Sequence, residues 1–377
     1  MTSQKLLISI LILALVCCSA CQRSLGKSDF RLAAGEQSRV TSSSTSTATG
    51  ITDKEYVAYR QLVFEHFLNK DFAWIDREAT RDRLTRDRLP GGYWKLRVLY
   101  DAMEAPLANS KASDSDWEEL IAALTSWTKQ QPQSVTAKVA LANAWKGYAW
   151  KARGGGYAGS VSDTGRELFR RRLENASQVL SEASSLNDRC PHWFVISLWV
   201  GVGQGWDRNA LEKIFQAGIK LEPTYYYIYQ VKASYLLPRW GGEEGEWERF
   251  ADQSTSNLGE AQGDIVFFAI YSQMLDLNGM ALMNNHQHSV PKLIAGFRSI
   301  EKLYGPADHR LNEACFFASF GNDVETTADL FKRIGDNYDP GVWRSKQTFE
   351  TFRSGSQERV KGSQIQKQGS QTASRNN

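Results

Sequence analysis

Apolar residues return every three to four positions through most of the chain beyond residue 53, as in Tyr56, Tyr59, Val63 and Phe67, and again in Trp117, Leu120, Ile121, Leu124 and Trp127. That spacing lines one face of an α-helix, and the strict alternation of a half-buried strand is nearly absent. Stops separate the periodic stretches at Pro90-Gly91-Gly92, Pro132, Gly154 to Gly156, Pro191, Pro223, Pro238, Pro291, Pro306 and Pro340. Helices of ordinary length between proline and glycine stops predict an all-α fold.

Within this pattern Ala176, Leu180 and Ala183 recur 34 residues later as Ala210, Ile214 and Ala217. Each set is followed by a stop, Pro191 or Pro223, and by an aromatic cluster, Trp193 and Phe194 or Tyr225 to Tyr227. Two alanines on one helix face let a neighbouring helix come close, and the larger residue between them fills the groove. Blurred copies of the same helix, stop, helix order run from Trp117 to Ala144 and from Leu311 to Ile334. The period and the small-large-small spacing resemble the second helix of a tetratricopeptide repeat, and the resemblance implies helix-hairpin repeats stacked as an α-solenoid.

Two stretches depart from the repeat. Trp145 to Gly156, which contains Ala149-Trp150-Lys151-Ala152-Arg153-Gly154-Gly155-Gly156, runs a helix into a glycine-rich loop, and Leu237-Pro238-Arg239-Trp240-Gly241-Gly242 ends another helix abruptly. Both elements are similar to those of a family of bacterial helical-repeat domains of unknown function, over roughly residues 117–343. The resemblance implies a fold and carries no activity. Trp145, Trp150, Arg153, Tyr157, Arg239 and Trp240 are therefore the candidate groove or structural residues. A guanidinium serves helix-end carbonyls with several donors, so Arg153 and the Arg239-Trp240 pair are expected near one another at two helix ends. Crowding beside a bulky tryptophan is the expected reason for the glycines that follow.

The two ends of the chain differ from this body. Lys5 precedes an apolar run from Leu6 to Val16, too short for a bilayer, which needs roughly 20 residues, but long enough for a signal peptide over 1–20. Cys18-Ser19-Ala20-Cys21 resembles the lipobox of bacterial lipoproteins, which implies a lipid on Cys21; ordinary cleavage after Ala20 would instead leave a soluble secreted or periplasmic protein. Residues 21–52, rich in Ser and Thr, read as a flexible tether, and 354–377, rich in Ser, Gln and Gly, as a disordered tail. The helical-repeat domain is then 53–353.

With 45 Lys and Arg against 42 Asp and Glu, the charge is nearly balanced and interspersed, so no basic stripe points to nucleic acid. The densest run, Arg77 to Arg88, reads as a solvated helix face laced with ion pairs. Gly154, Gly156 and Gly159 match a dinucleotide-loop spacing but follow a helix rather than a strand, so no cofactor is expected. His286 and His288 are two imidazoles where a zinc site needs three or four ligands, so no metal is expected. Cys190 and Cys315 are the only thiols past the signal region, either buried free or bridged.

No catalytic constellation stands out. The leading expectation is a non-enzymatic binding or assembly module, membrane-anchored in the cell envelope and presenting a groove to a protein or peptide partner. The second is a hydrolase or lyase of envelope polymers, using acids such as Glu243, Glu244 and Glu246, which otherwise simply begin a helix.

Overall fold

The computed structural model describes residues 53–106, 112–154 and 161–375, with side chains to residue 365. The expectations for the signal peptide, the tether, Cys21 and Tyr157 lie outside the described residues. Sixteen α-helices, short 3-10 turns and one two-stranded hairpin make up the described residues, so the protein is all-α.

An N-terminal segment comprises α1 (Lys54–Leu68), α2 (Phe72–Thr85), β1 (Arg88–Leu89), β2 (Tyr93–Trp94) and α3 (Lys95–Asp101), and α4 (Asp114–Gln130) follows it. Five helix pairs come next: α5 (Val135–Arg153) with α6 (Asp163–Ser184), α7 (Pro191–Gln204) with α8 (Arg208–Leu221), and α9 (Tyr227–Tyr235) with α10 (Glu246–Thr255). The last two are α11 (Glu260–Asn278) with α12 (Val290–Tyr304) and α13 (Asp308–Ala318) with α14 (Val324–Ile334). The short α15 (Pro340–Trp343) and the long α16 (Lys346–Arg375) close the chain.

Sequence sorts these pairs into two layers. In α11 every residue from Ile265 to Ser272 is buried, and in α13 every residue from Arg310 to Ala318, so these first helices are covered on all sides over those stretches. The second helices bury one stripe only, such as Leu211, Phe215 and Gly218 of α8 or Leu173, Ala176, Leu180 and Ala183 of α6, and turn charged residues outward. The inner position also explains why Glu260–Asn285 is apolar and long enough to cross a membrane by composition, while 67% of its most apolar window is buried inside the protein.

The inner helices are covered by the N-terminal segment. Leu96, Val98, Leu99 and Tyr100 of α3 are all buried, and the segment touches the pairs one after another. Arg83 donates to Thr136 at the start of α5, Arg97 to His192 of α7, and Trp94 Nε1 to the Thr224 carbonyl before α9 (3.2 Å). The turn at Gly91 then reaches α13: its N–H donates to the Gly305 carbonyl, and a Cβ there would sit 2.6 Å from Ala307 Cβ. Its φ of +77° adds a second reason for glycine. The same turn packs on α12, where a Cβ on Gly92 would sit 3.1 Å from Tyr304. In an open stack each unit contacts only its neighbours; here one segment touches all five pairs.

A buried polar network ties the start of the domain to the last pair. Asp53 accepts from the Tyr93 hydroxyl (2.8 Å) and from the backbone N–H of His309 (3.1 Å), and His309 itself lies against Asp339 (2.8 Å) and Glu313 (3.5 Å). Burial alone would lower the His309 pKa, but Glu313 and Asp339 outweigh it and raise it well above the ordinary value of 6.5. Burial likewise pushes Glu313 up, yet Arg310 and His309 hold it at about 2, below its ordinary 4.5. A raised histidine contributes stability that is complete below its unfolded pKa and lost as pH rises through the folded one. A depressed carboxylate contributes stability that is complete above its unfolded pKa and lost as pH falls through the folded one. Both contributions are therefore complete only between about pH 4.5 and 6.5. Melting temperature measured against pH is expected to lose its alkaline decline in His309→Gln, with the acid decline kept.

Three sequence expectations need correction. The repeat is displaced by one residue in its second copy: Ala176, Leu180 and Ala183 are buried, but their counterparts are Leu211, Phe215 and Gly218, while Ala217 is exposed. Gly218 is the small residue at that crossing, where a Cβ would sit 3.0 Å from Phe194 and Ile228. The run from Arg77 to Arg88 is only partly a solvated face, because Asp82 is fully buried and accepts from the Tyr59 hydroxyl (2.8 Å). The region from Ser354 continues α16 rather than an irregular tail; the helical register that buries Phe349 carries Ser356 inward and lets Arg359 donate to the Ser319 and Gly321 carbonyls after α13.

Candidate functional site

Where α3 ends, the N-terminal segment leaves part of the inner layer uncovered. The cleft there has a volume of about 80 Å³. Arg97 of α3 and Glu104 just beyond it form one wall, with Lys146 of α5 beside them. Trp199 of α7, Tyr227 and Gln230 of α9 and Gln273 of α11 form the others.

The charges in the cleft are already matched to one another. Glu104 takes Lys146 Nζ on one oxygen (2.8 Å) and Arg97 Nη2 on the other (3.1 Å), and the same Arg97 nitrogen lies 2.7 Å from Asp101. Burial would raise the Glu104 pKa, but Lys146 and Arg97 outweigh it and hold the carboxyl far below the usual range. Asp101 goes the other way: burial outweighs Arg97 and pushes it up to about 6. Burial, reinforced by Arg97, drives the His192 pKa well below 6.5, so the ring is neutral. Arg97 can only donate, so His192 Nε2 accepts from it (3.3 Å) and the proton rests on Nδ1, facing the Tyr225 hydroxyl at 3.1 Å.

Two carboxyls with divergent pKa values on one guanidinium are a familiar acid-base arrangement. Access decides against it here. The Asp101 side chain is 4% exposed and also accepts from Tyr56 (2.7 Å), and both Glu104 oxygens are taken by cations. Size points the same way, since sites for small-molecule ligands enclose about 300–1,000 Å³. The cleft fits a single side chain. Its unspent hydrogen-bonding capacity is neutral: the Gln273 amide lines the wall, while the Tyr227 hydroxyl is engaged with that of Tyr226 (3.0 Å). A larger hollow of about 290 Å³ lies between α12 and α14, but it is a surface trough whose Arg333 is paired to Glu301.

The candidates named from sequence lie at the far end of the inner helices. Trp150 packs edge-on against Trp240 (6.4 Å between ring centres), Trp240 against Trp199 (6.2 Å), and Arg153 lies 5.8 Å over Trp150. Arg153, Trp150 and Trp240 thus share one aromatic cluster, which Trp199 links to the cleft. Trp145 stands apart, stacked near Tyr148 (6.3 Å). Arg239 serves a helix-end carbonyl, that of Leu277 in α11 at 3.3 Å. The glycines have causes other than crowding by tryptophan: Gly154 and Gly241 need positive φ in open space, and Gly242 clears the Leu236 carbonyl, which a Cβ would meet at 1.9 Å.

Glu243 and Glu244 are exposed, and Glu246 is held by Arg208 (2.6 Å); none of the three lines the cleft. Cys190 and Cys315 are buried and free. His286 is tied to Glu248 (3.1 Å), and among the described residues no group of three or more His, Cys, Asp or Glu is placed to hold a metal ion. Sequence reasoning passed over Arg97, Glu104, Trp199 and Gln273. Lys146 was the available signal, a charged residue on an otherwise buried helix. Compared with known family models, curated proteins and solved structures, the chain matches none of them.

Proposed function

We propose that this protein is a non-enzymatic binding or assembly module of the cell envelope, held on a membrane by a lipid on Cys21, whose cleft seats one anchoring side chain of a protein or peptide partner. The observation that carries this reading is the cleft itself, too small for a ligand of its own, walled by Trp199 and Tyr227, with its charges already matched. Tryptophan and tyrosine at a partly enclosed pocket are the usual anchors of partner recognition. Tetratricopeptide-like stacking belongs to the same reading, supported by the two-layer pairs and by the small residues Ala176, Ala183 and Gly218 at crossings.

A photoreactive residue at Gln273 tests it. One recurrent partner peptide is expected to crosslink there, and Trp199→Ala is expected to weaken that binding about tenfold or more. The alternative, an envelope-polymer hydrolase or lyase, is favoured if the purified protein releases soluble fragments from envelope material and Glu104→Gln abolishes the release.

A further inference from the structure

Arg153 ends α5 with only 8% of its surface exposed, and neither Nη1 nor Nη2 has a hydrogen-bond partner among the described residues. The indole Nε1–H of Trp240 is likewise buried without an acceptor. Burial alone pushes the Arg153 pKa down, to about 10, with no carboxylate offsetting it, so the side chain remains cationic at neutral pH. An ion taken from water without a hydrogen-bonded counter-charge is strongly disfavoured. The Trp150 face, 5.8 Å away, and the carbonyl end of α5 attract the cation but leave both nitrogens unserved.

Both donors adjoin the Trp150 ring, Arg153 lying over it at 5.8 Å and Trp240 packing edge-on against it at 6.4 Å. Both lack acceptors, and the fork of a guanidinium matches two oxygens of a carboxylate or phosphate. We propose that Arg153 binds the anionic group, carboxylate or phosphate, of a ligand, and that Trp240 Nε1–H donates to a further oxygen of the same ligand. The site is distinct from the cleft, and stands whether or not the cleft seats a partner.

Thermal melting of the full chain at constant ionic strength, titrated separately with inorganic phosphate and with acetate, tests this. A saturable rise in melting temperature with at least one anion is expected, and the one giving the tighter half-saturation identifies the ligand group. Arg153→Gln is expected to weaken that response about tenfold or more, and Trp240→Phe, which keeps a ring but removes the donor, severalfold. Arg153→Met is expected to melt higher than the parent without anion and to ignore added anion. If Arg153→Gln fails to fold, Arg153→Lys, which keeps charge and loses the fork, and Trp240→Phe carry the comparison. The proposal is overturned if neither anion gives a saturable response, or if the response persists unchanged in the Arg153 variant that folds and in Trp240→Phe.

Discussion

Replacing Arg310 by methionine is expected to cost the domain about 3–5 kcal/mol in urea unfolding, the range for breaking a buried ion pair from one side. Arg310 is enclosed between the N-terminal segment and α13, with Nη1 on Glu313 (2.7 Å), Nε on the Gly91 carbonyl (3.4 Å) and the guanidinium over Tyr93 (4.7 Å). Removing it takes from the buried Glu313 carboxylate the nearer of the two cations that hold it ionised and leaves it only His309 at 3.5 Å. It also unfastens the Gly91 turn from the last pair. Arg310→Met with Glu313→Gln together is expected to recover part of the loss, because the less well paired charge goes as well. The control is Arg170→Ala on the outer face of α6, an exposed arginine paired with Glu167 and Glu174 that should leave the transition unmoved.

Trp94→Ala is the second large effect, about 3–5 kcal/mol, the usual result of emptying a buried aromatic site. The ring is 1% exposed, edge-on to Tyr225 at 4.8 Å, and its N–H serves the Thr224 carbonyl. The substitution opens a cavity and leaves that carbonyl unserved at once. Trp94→Phe retains most of the packing and should cost less. A substitution of similar volume change at Trp74, which is only partly buried on the surface of α2, should also cost less.

Helix positions were legible because each outer helix carries its buried stripe at helical spacing. Tyr56, Tyr59, Val63 and Phe67 in α1, and Trp117 to Trp127 in α4, are the buried faces that the periodicity picks out. The repeat was legible in kind and misplaced by one residue, since Ala210-Ile214-Ala217 imitates the spacing while Leu211-Phe215-Gly218 does the packing. Spacing alone cannot tell two adjacent stripes apart when both contain a small residue. The tail misled for a related reason: its composition is polar, but Phe349, Phe352 and Ser356 keep one helix face on the core.

The cleft was hidden more deeply. Its charged wall comes from α3 and Glu104, whose importance lies in contacts 42 residues away at Lys146 and 95 away at His192. Helical spacing reports only neighbours on one element, so it found Arg153, Trp150 and Trp240 at the two interrupted helix ends. It could not show that residues 53–104 cover the inner layer and leave the cleft open. The segment's own signal was weak, a seven-residue helix between a glycine turn and a polar stretch.

The arrangement of α3 inside the helix pairs is the claim on which the cleft depends, because that helix supplies Arg97 and Asp101 and positions Glu104. Native-state hydrogen exchange measures it directly. If α3 is an interior element, the amides of Leu99 and Ala102 exchange only through global unfolding, with the same free energy as those of Phe268 to Tyr271 in α11. Exchange of Leu99 and Ala102 through a local opening several kcal/mol easier than that of α11 would contradict it, and the cleft would lose its charged wall.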